Sequence, residues 1–225
     1  MLSKNTVRAV LFDLDGVIVY TDTYHFGAWK RLAGEEGWSF SEEMNHRLRG
    51  VSRMESLDII LAENGIEAGP DRKRSWADRK NRYYADSLKE LSRDDVLPGS
   101  LETVELLKQE GYRTALCSSS RNAQTVLETL GVSDLFEVLV TGWDIERTKP
   151  DPQIFLIASG KLDVPPPSCA VFEDADSGIE AAHAAGMYAV GVGQEGRLPE
   201  ADVLLTGFRP KEVLSLLRDL PKQGG

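Results

Sequence analysis

From Val96 to Leu217 short apolar runs alternate with stretches whose apolar residues recur at helical spacing, and that alternation leaves few folds open. Tyr112–Ser118, Val138–Thr141, Ala170–Phe172, Tyr188–Val192 and a weaker Val203–Leu205 read as strands. Between them Leu101, Val104 and Leu107 line one helix face, as do Ala123, Val126, Leu127 and Leu130. The same spacing joins Ile154, Ile157, Ala158 and Leu162, then the segment Ile179–Ala185, and finally Val213, Leu214 and Leu217. Repeated strand–helix units imply an α/β fold, a Rossmann-like doubly wound parallel sheet with helices on both faces.

One more strand comes at the start. Val7-Arg8-Ala9-Val10-Leu11-Phe12 is apolar enough to be buried, and it runs into Asp13-Leu14-Asp15-Gly16-Val17. Carboxylates at i and i+2 leave a strand on the same side, so Asp13 and Asp15 can face one site. Burying such a pair is costly through desolvation and mutual repulsion, and a divalent cation with oxygen ligands is the usual compensation. Asp15-Gly16 taken alone also fits a plain strand end followed by a turn. Ser118, Lys149 and the pair Glu173-Asp174 lie at later strand ends or in the loops after them. In a parallel sheet these all emerge at the carboxyl edge, where ligands bind, beside Asp13 and Asp15.

The stretch between Thr21 and Arg93 behaves differently. Leu57, Ile60 and Leu61 keep helical spacing, and Trp76, Lys80, Tyr83 and Tyr84 suggest another amphipathic face. Gly37, Gly50 and the segment from Gly65 to Pro70 divide the region into about four helices, with no convincing strand. Residues 21–93 are therefore expected to form an all-helical cap domain inserted into a core made of residues 1–20 and 94–225. The Thr21 hydroxyl is expected to cap the first helix of the insert.

Composition bounds the partners. The net charge is −10 with no basic cluster, which argues against nucleic acid and anionic membrane. No apolar run approaches the roughly 18 residues of a membrane span, and a cytoplasmic location is the expectation. Cys117 and Cys169 sit in apolar runs and read as small buried hydrophobes of a reducing compartment. With no exposed apolar stripe, a monomer is expected.

The set Asp13-Leu14-Asp15-Gly16-Val17, Ser118, Lys149-Pro150 and Glu173-Asp174 resembles, in order and over nearly the whole chain, the four motifs of the haloacid dehalogenase-like superfamily. The resemblance implies Asp13 as a nucleophile that forms an aspartyl phosphate and Asp15 as the general acid and base. It implies Mg2+ held by Asp13, the backbone carbonyl of Asp15 and Asp174, with Glu173 a ligand or its support. Ser118 would hydrogen-bond the transferring phosphoryl group, and Lys149 would neutralise it. A dehalogenase would not need a second acid at position 15, so Asp15 favours the phosphoryl-transfer branch. The sequence leaves the isomer of the Lys149–Pro150 bond open.

The insert carries a narrower likeness. Tyr24-His25-Phe26-Gly27-Ala28-Trp29-Lys30, Arg49-Gly50-Val51-Ser52-Arg53 and Arg79-Lys80-Asn81, with Ser118-Ser119-Ser120-Arg121-Asn122 of the core, resemble the β-phosphoglucomutase family. That family interconverts β-glucose 1-phosphate and glucose 6-phosphate through glucose 1,6-bisphosphate, so the implied partners are a sugar phosphate and this bisphosphate. Arg53, Ser120, Arg121 and Asn122 would hold the phosphate that is not transferred, which suits guanidinium forks. Lys is the residue expected at position 121. His25 and Lys80 would place Asp15, and Trp29, Gly50, Val51 and Ser52 would line the sugar pocket. Taken singly, Arg53 and Lys80 read as solvated helix charges, His25 as structural and Trp29 as core. His46 and His183 are left with structural roles. Two other readings remain: a sugar-phosphate phosphatase of the same superfamily, and a non-catalytic phosphosugar-binding protein. The intact acids, Ser118 and Lys149 count against the latter.

Overall fold

The computed structural model describes residues 7–48 and 51–220. The chain divides into two compact units, residues 21–91 forming one and residues 1–20 with 92–225 the other. The chain enters with strand β1 (Ala9–Phe12), all four residues buried. It then builds the helical unit from α1 (Asp22–Glu36), α2 (Glu42–His46), α3 (Arg53–Glu63) and α4 (Pro70–Ser87). Returning to the sheet unit it forms α5 (Ser100–Gln109), β2 (Arg113–Cys117), α6 (Ala123–Leu130), β3 (Val138–Val140) and α7 (Gln153–Leu162). It ends with β4 (Cys169–Glu173), α8 (Asp176–Ala184), β5 (Tyr188–Val192), β6 (Val203–Leu205) and α9 (Pro210–Asp219).

Among the described residues six strands run parallel in the order β3-β2-β1-β4-β5-β6. That is the doubly wound arrangement, and its order reverses at β1, between β2 and β4. In such sheets the crevice beyond the carboxyl ends at the reversal is where ligands bind. Strand side chains alternate between the faces. Ala9 and Leu11 pack with Ile154, Phe155 and Ile179 of α7 and α8 on one face. Phe12 turns to the other, its ring 5.0 Å from Phe172 and 6.1 Å from Phe136. Burying one Phe or Leu is worth roughly 1.5–3 kcal/mol, so both apolar layers stabilise β1 in the centre, beside its pairing with β2 and β4.

The helical unit has its own core, in which Trp29, Leu32, Leu57, Ile60, Leu61 and Trp76 are buried together. Its boundary falls at Leu91, and Ser92 belongs with the sheet unit, where it caps the short 3-10 turn Arg93–Asp95. One expectation fails here. Thr21 occupies the N-cap position of α1, but its hydroxyl makes no capping hydrogen bond. Its backbone sits at φ −105°, ψ 0°, away from the extended geometry that aims an N-cap oxygen at the first-turn amides. Among the described residues no helix is long and apolar enough to cross a membrane.

Candidate active site

The acids arrive at the site by backbone pairing. The Asp13 amide, one residue past β1, donates to the Phe172 carbonyl at 3.0 Å, so the chain still follows β4 as the carboxylate leaves the sheet. Gly16 then turns the chain at φ +79°, a conformation that costs a side-chain-bearing residue, and its amide closes on the Val19 carbonyl at 2.9 Å. A second constraint falls on Gly16, because a Cβ there would lie 2.1 Å from Asp174 Oδ2. The glycine after the two acids thus makes room for the acid at the end of β4.

Lys149, on the loop between β3 and α7, is buried, and its ammonium donates to both Asp13 Oδ1 and Glu173 Oε1. A longer bond reaches the Cys117 carbonyl at 3.4 Å. The Lys149–Pro150 bond is cis. The other Glu173 oxygen accepts from the amides of Asp174 at 3.1 Å and Ala175 at 3.4 Å. One buried cation therefore bridges two of the carboxylates, and Asp174 stands beside them.

The titration behaviour follows from that imbalance. Burial opposes the charge on Lys149, but Asp13 and Glu173 outweigh it and hold the ammonium above the ordinary lysine range. Glu173 is pushed up to about 7 by burial, against the pull of Lys149 and with Asp13 adding to the rise. Asp174 is raised well above the usual carboxylate range by burial and then by Glu173, Asp13 and Asp15. Carboxylate oxygens of Asp13, Glu173 and Asp174 all lie within 4.8 Å of one another. An all-oxygen donor set carrying more negative charge than one lysine can balance fits a hard divalent cation such as Mg2+.

Ser118 follows β2, buried, with its amide on the Val140 carbonyl at 3.0 Å. Its hydroxyl accepts the Ser120 amide at 3.1 Å, and the Ser120 hydroxyl accepts the Asn122 amide at 3.2 Å. These two local bonds set the shape of the loop that carries Ser120, Arg121 and Asn122 into α6.

Asp15, two residues on from Asp13 and bridged to Val19, belongs to the sheet unit, and the other candidate site residues belong to the helical unit. His25 and Lys80 meet, Lys80 Nζ lying 2.8 Å from His25 Nδ1. An ammonium only donates, so Nδ1 is the acceptor and Nε2 carries the ring proton. Burial, then Lys80 and Arg53, hold His25 well below its ordinary pKa, which keeps the ring neutral. The Lys80 ammonium also lies 5.0 Å from the centre of Trp29 and 4.9 Å from that of Tyr84, whose ring stacks on His25 at 4.0 Å. Trp29 is 3% exposed within the helical core. Ser52 is the N-cap of α3 and forms a capping box with Glu55, so its hydroxyl accepts the Glu55 amide at 3.3 Å. Arg53 opens the same helix, 3.8 Å from Asp78. Val51 is half-buried in the preceding loop, and Gly50 lies outside the described residues.

Sequence reasoning missed Gly178, which lies in α8 directly against the Glu173 carboxyl group. A signal was present, since glycine within a helix is unfavourable and calls for a packing reason.

Comparison with known proteins agrees with this geometry. Residues 7–186 match the model of the haloacid dehalogenase-like hydrolases. A β-phosphoglucomutase of Bacillus subtilis (strain 168) is 44% identical over 201 residues, covering 88% of this chain and 89% of that protein. A phosphorylated carbohydrates phosphatase of Thermotoga maritima is 32% identical over 222 residues, covering 95% of this chain and 100% of that protein. The crystal structure of a β-phosphoglucomutase from Clostridium difficile superposes with a TM-score of 0.87 at 35% identity, covering 94% of this chain and 97% of that one. On sheet order, on the acids at the carboxyl edge and on these likenesses, the chain belongs to the haloacid dehalogenase-like hydrolase family, among its phosphatases and phosphomutases.

Proposed function

We propose that this protein is a Mg2+-dependent β-phosphoglucomutase, acting on β-glucose 1-phosphate and glucose 6-phosphate through glucose 1,6-bisphosphate. The observation that carries the reading is the buried Asp13–Lys149–Glu173 set beside Asp174, in a chain 44% identical to the Bacillus subtilis β-phosphoglucomutase. Mg2+ bound by Asp13, Asp174 and the Asp15 carbonyl, with Glu173 as ligand or support, supplies the positive charge that lets a carboxylate approach a phosphate.

In this reading an Asp13 oxygen attacks phosphorus, the bond from phosphorus to the sugar oxygen breaks, and Asp15 gives that oxygen its proton. In the return step Asp15, now a carboxylate, takes a proton from a sugar hydroxyl as that hydroxyl attacks the aspartyl phosphate and frees Asp13. Ser118 has an acceptor site filled by the Ser120 amide, which leaves its proton to donate to a phosphoryl oxygen. Lys149 holds Asp13 in place and offsets its charge. Arg53, Ser120, Arg121 and Asn122 are assigned to the phosphate that stays on the sugar. His25 and Lys80 are assigned to placing Asp15, and Trp29, Gly50, Val51 and Ser52 to the sugar.

A sugar-phosphate phosphatase is the second reading, and the Thermotoga maritima relative supports it. It uses the same aspartyl phosphate with water as the acceptor. Two variants test the shared chemistry and the assignment of the second phosphate. Asp13→Asn is expected to abolish turnover with the fold intact, and retained activity would remove the nucleophile. Arg53→Ala is expected to raise KM for sugar phosphates more than KM for p-nitrophenyl phosphate. Equal losses would make Arg53 structural.

A further inference from the structure

Trp143 is 71% exposed, the most open large apolar side chain among the described residues. It lies in the loop after β3, and the contacts it does make are with Arg121. The indole Nε1–H donates to the Arg121 carbonyl at 3.1 Å, and the Arg121 guanidinium carbon lies 4.4 Å from the centre of the indole. Arg121 Nε also donates to the Gly142 carbonyl at 3.4 Å, and the Gly142 amide donates to the Ser120 carbonyl at 3.3 Å. The two loops touch so closely that a Cβ on Gly142 would fall 2.3 Å from the Ser119 carbonyl oxygen. The Trp143 loop is itself anchored. Thr141 binds Asp144 Oδ2 through its amide at 2.9 Å and its hydroxyl at 3.1 Å, and Lys161 holds Asp144 Oδ1 at 3.1 Å.

We propose that Trp143 is a positioning residue that holds the Arg121 guanidinium ready for the phosphate that stays on the sugar. The proposal rests on the assignment of Arg121 to that phosphate. Among the described residues no carboxylate pairs with Arg121, so its charge is available to an anion, while the indole face and the Gly142 carbonyl fix its plane. A long side chain that is already oriented loses less freedom when it binds. The pairing also accounts for arginine at a position where the family resemblance leads to lysine. A planar guanidinium stacks on an aromatic face and meets a phosphate with two parallel donors, whereas an ammonium is a point charge. Trp143 and Arg121 thus form one unit, with Gly142 the residue that allows it.

The test is a double-mutant cycle on the enzyme with saturating Mg2+, reading KM and kcat for β-glucose 1-phosphate and for p-nitrophenyl phosphate. An exposed cation–aromatic contact sets the scale, so Trp143→Ala is expected to raise KM for the sugar phosphate about two- to fivefold. The rise is expected to exceed that for p-nitrophenyl phosphate, and Trp143→Phe, which keeps an aromatic face, is expected to restore most of it. In an Arg121→Ala background Trp143→Ala is expected to have no further effect. Independent, multiplying losses, or equal losses on both substrates, would overturn the positioning role and leave the Arg121 assignment standing. If Arg121→Ala alone leaves KM for the sugar phosphate unchanged, both fail together, while the nucleophile test on Asp13 remains separate.

Discussion

Gly178 and Glu173 share a space that only one side chain can fill: a Cβ at position 178 would lie 2.0 Å from the Glu173 carboxyl carbon and 2.2 Å from Oε1. The first turns of α8 can therefore pack against the acid that ends β4 only because that helix carries a glycine there.

Gly178→Ala is accordingly expected to push the Glu173 carboxylate away from Lys149. Overpacking of this kind costs about 1–3 kcal/mol of stability. The more specific expectation is a weaker response to Mg2+, by about tenfold in the activating concentration, since Glu173 belongs to the acidic set. Activity titrated with Mg2+ checks this, and an unchanged activation curve would separate Glu173 from metal binding.

The raised carboxyls predict a pH dependence whose sign is unusual for acids. Glu173 rises from the ordinary glutamate value of 4.5 to about 7, and Asp174 rises as well. Between those values the folded metal-free protein holds protons that the unfolded chain has released, so stability falls as pH rises through that window. Mg2+ competes for the same oxygens and is expected to recover the loss. The increase in Tm on adding Mg2+ should then be larger at pH 7.5 than at pH 5.5, with and without metal measured side by side. His25 acts in the opposite direction, because a neutral buried ring loses stability as the unfolded histidine protonates below its ordinary 6.5. Its effect is common to both samples and cancels in the difference. An equal Mg2+ shift at both pH values would contradict the account.

Ser52 separates a capping role from a sugar contact. Its hydroxyl closes the capping box of α3, so Ser52→Ala is expected to cost about 1 kcal/mol, and Ser52→Asp much less. Denaturant unfolding of the two variants measures this. Equal stability of Ser52→Ala and the parent protein would show that the box contributes nothing.

Much of this was legible in the sequence because it is carried by periodicity and chain order. The apolar run into Asp13 is a central strand, the strand–helix alternation is a doubly wound sheet, and Lys149, Glu173 and Asp174 gather at one edge with Asp13 because parallel strands all end there. What escaped reading depends on close approach rather than on pattern. Gly178 and Gly142 matter through atoms that would collide, and Trp143 through a ring lying under a guanidinium from another loop. Thr21 shows the converse, a residue of the right type at a helix start whose backbone angles turn its hydroxyl away from the cap.

The central claim is that Asp13 passes a phosphoryl group to a sugar hydroxyl. Phosphorus NMR of the enzyme with Mg2+, β-glucose 1-phosphate and a trace of glucose 1,6-bisphosphate tests it most directly. The account predicts that glucose 6-phosphate accumulates with little inorganic phosphate. Inorganic phosphate growing in step with the loss of substrate would contradict it and make water the acceptor.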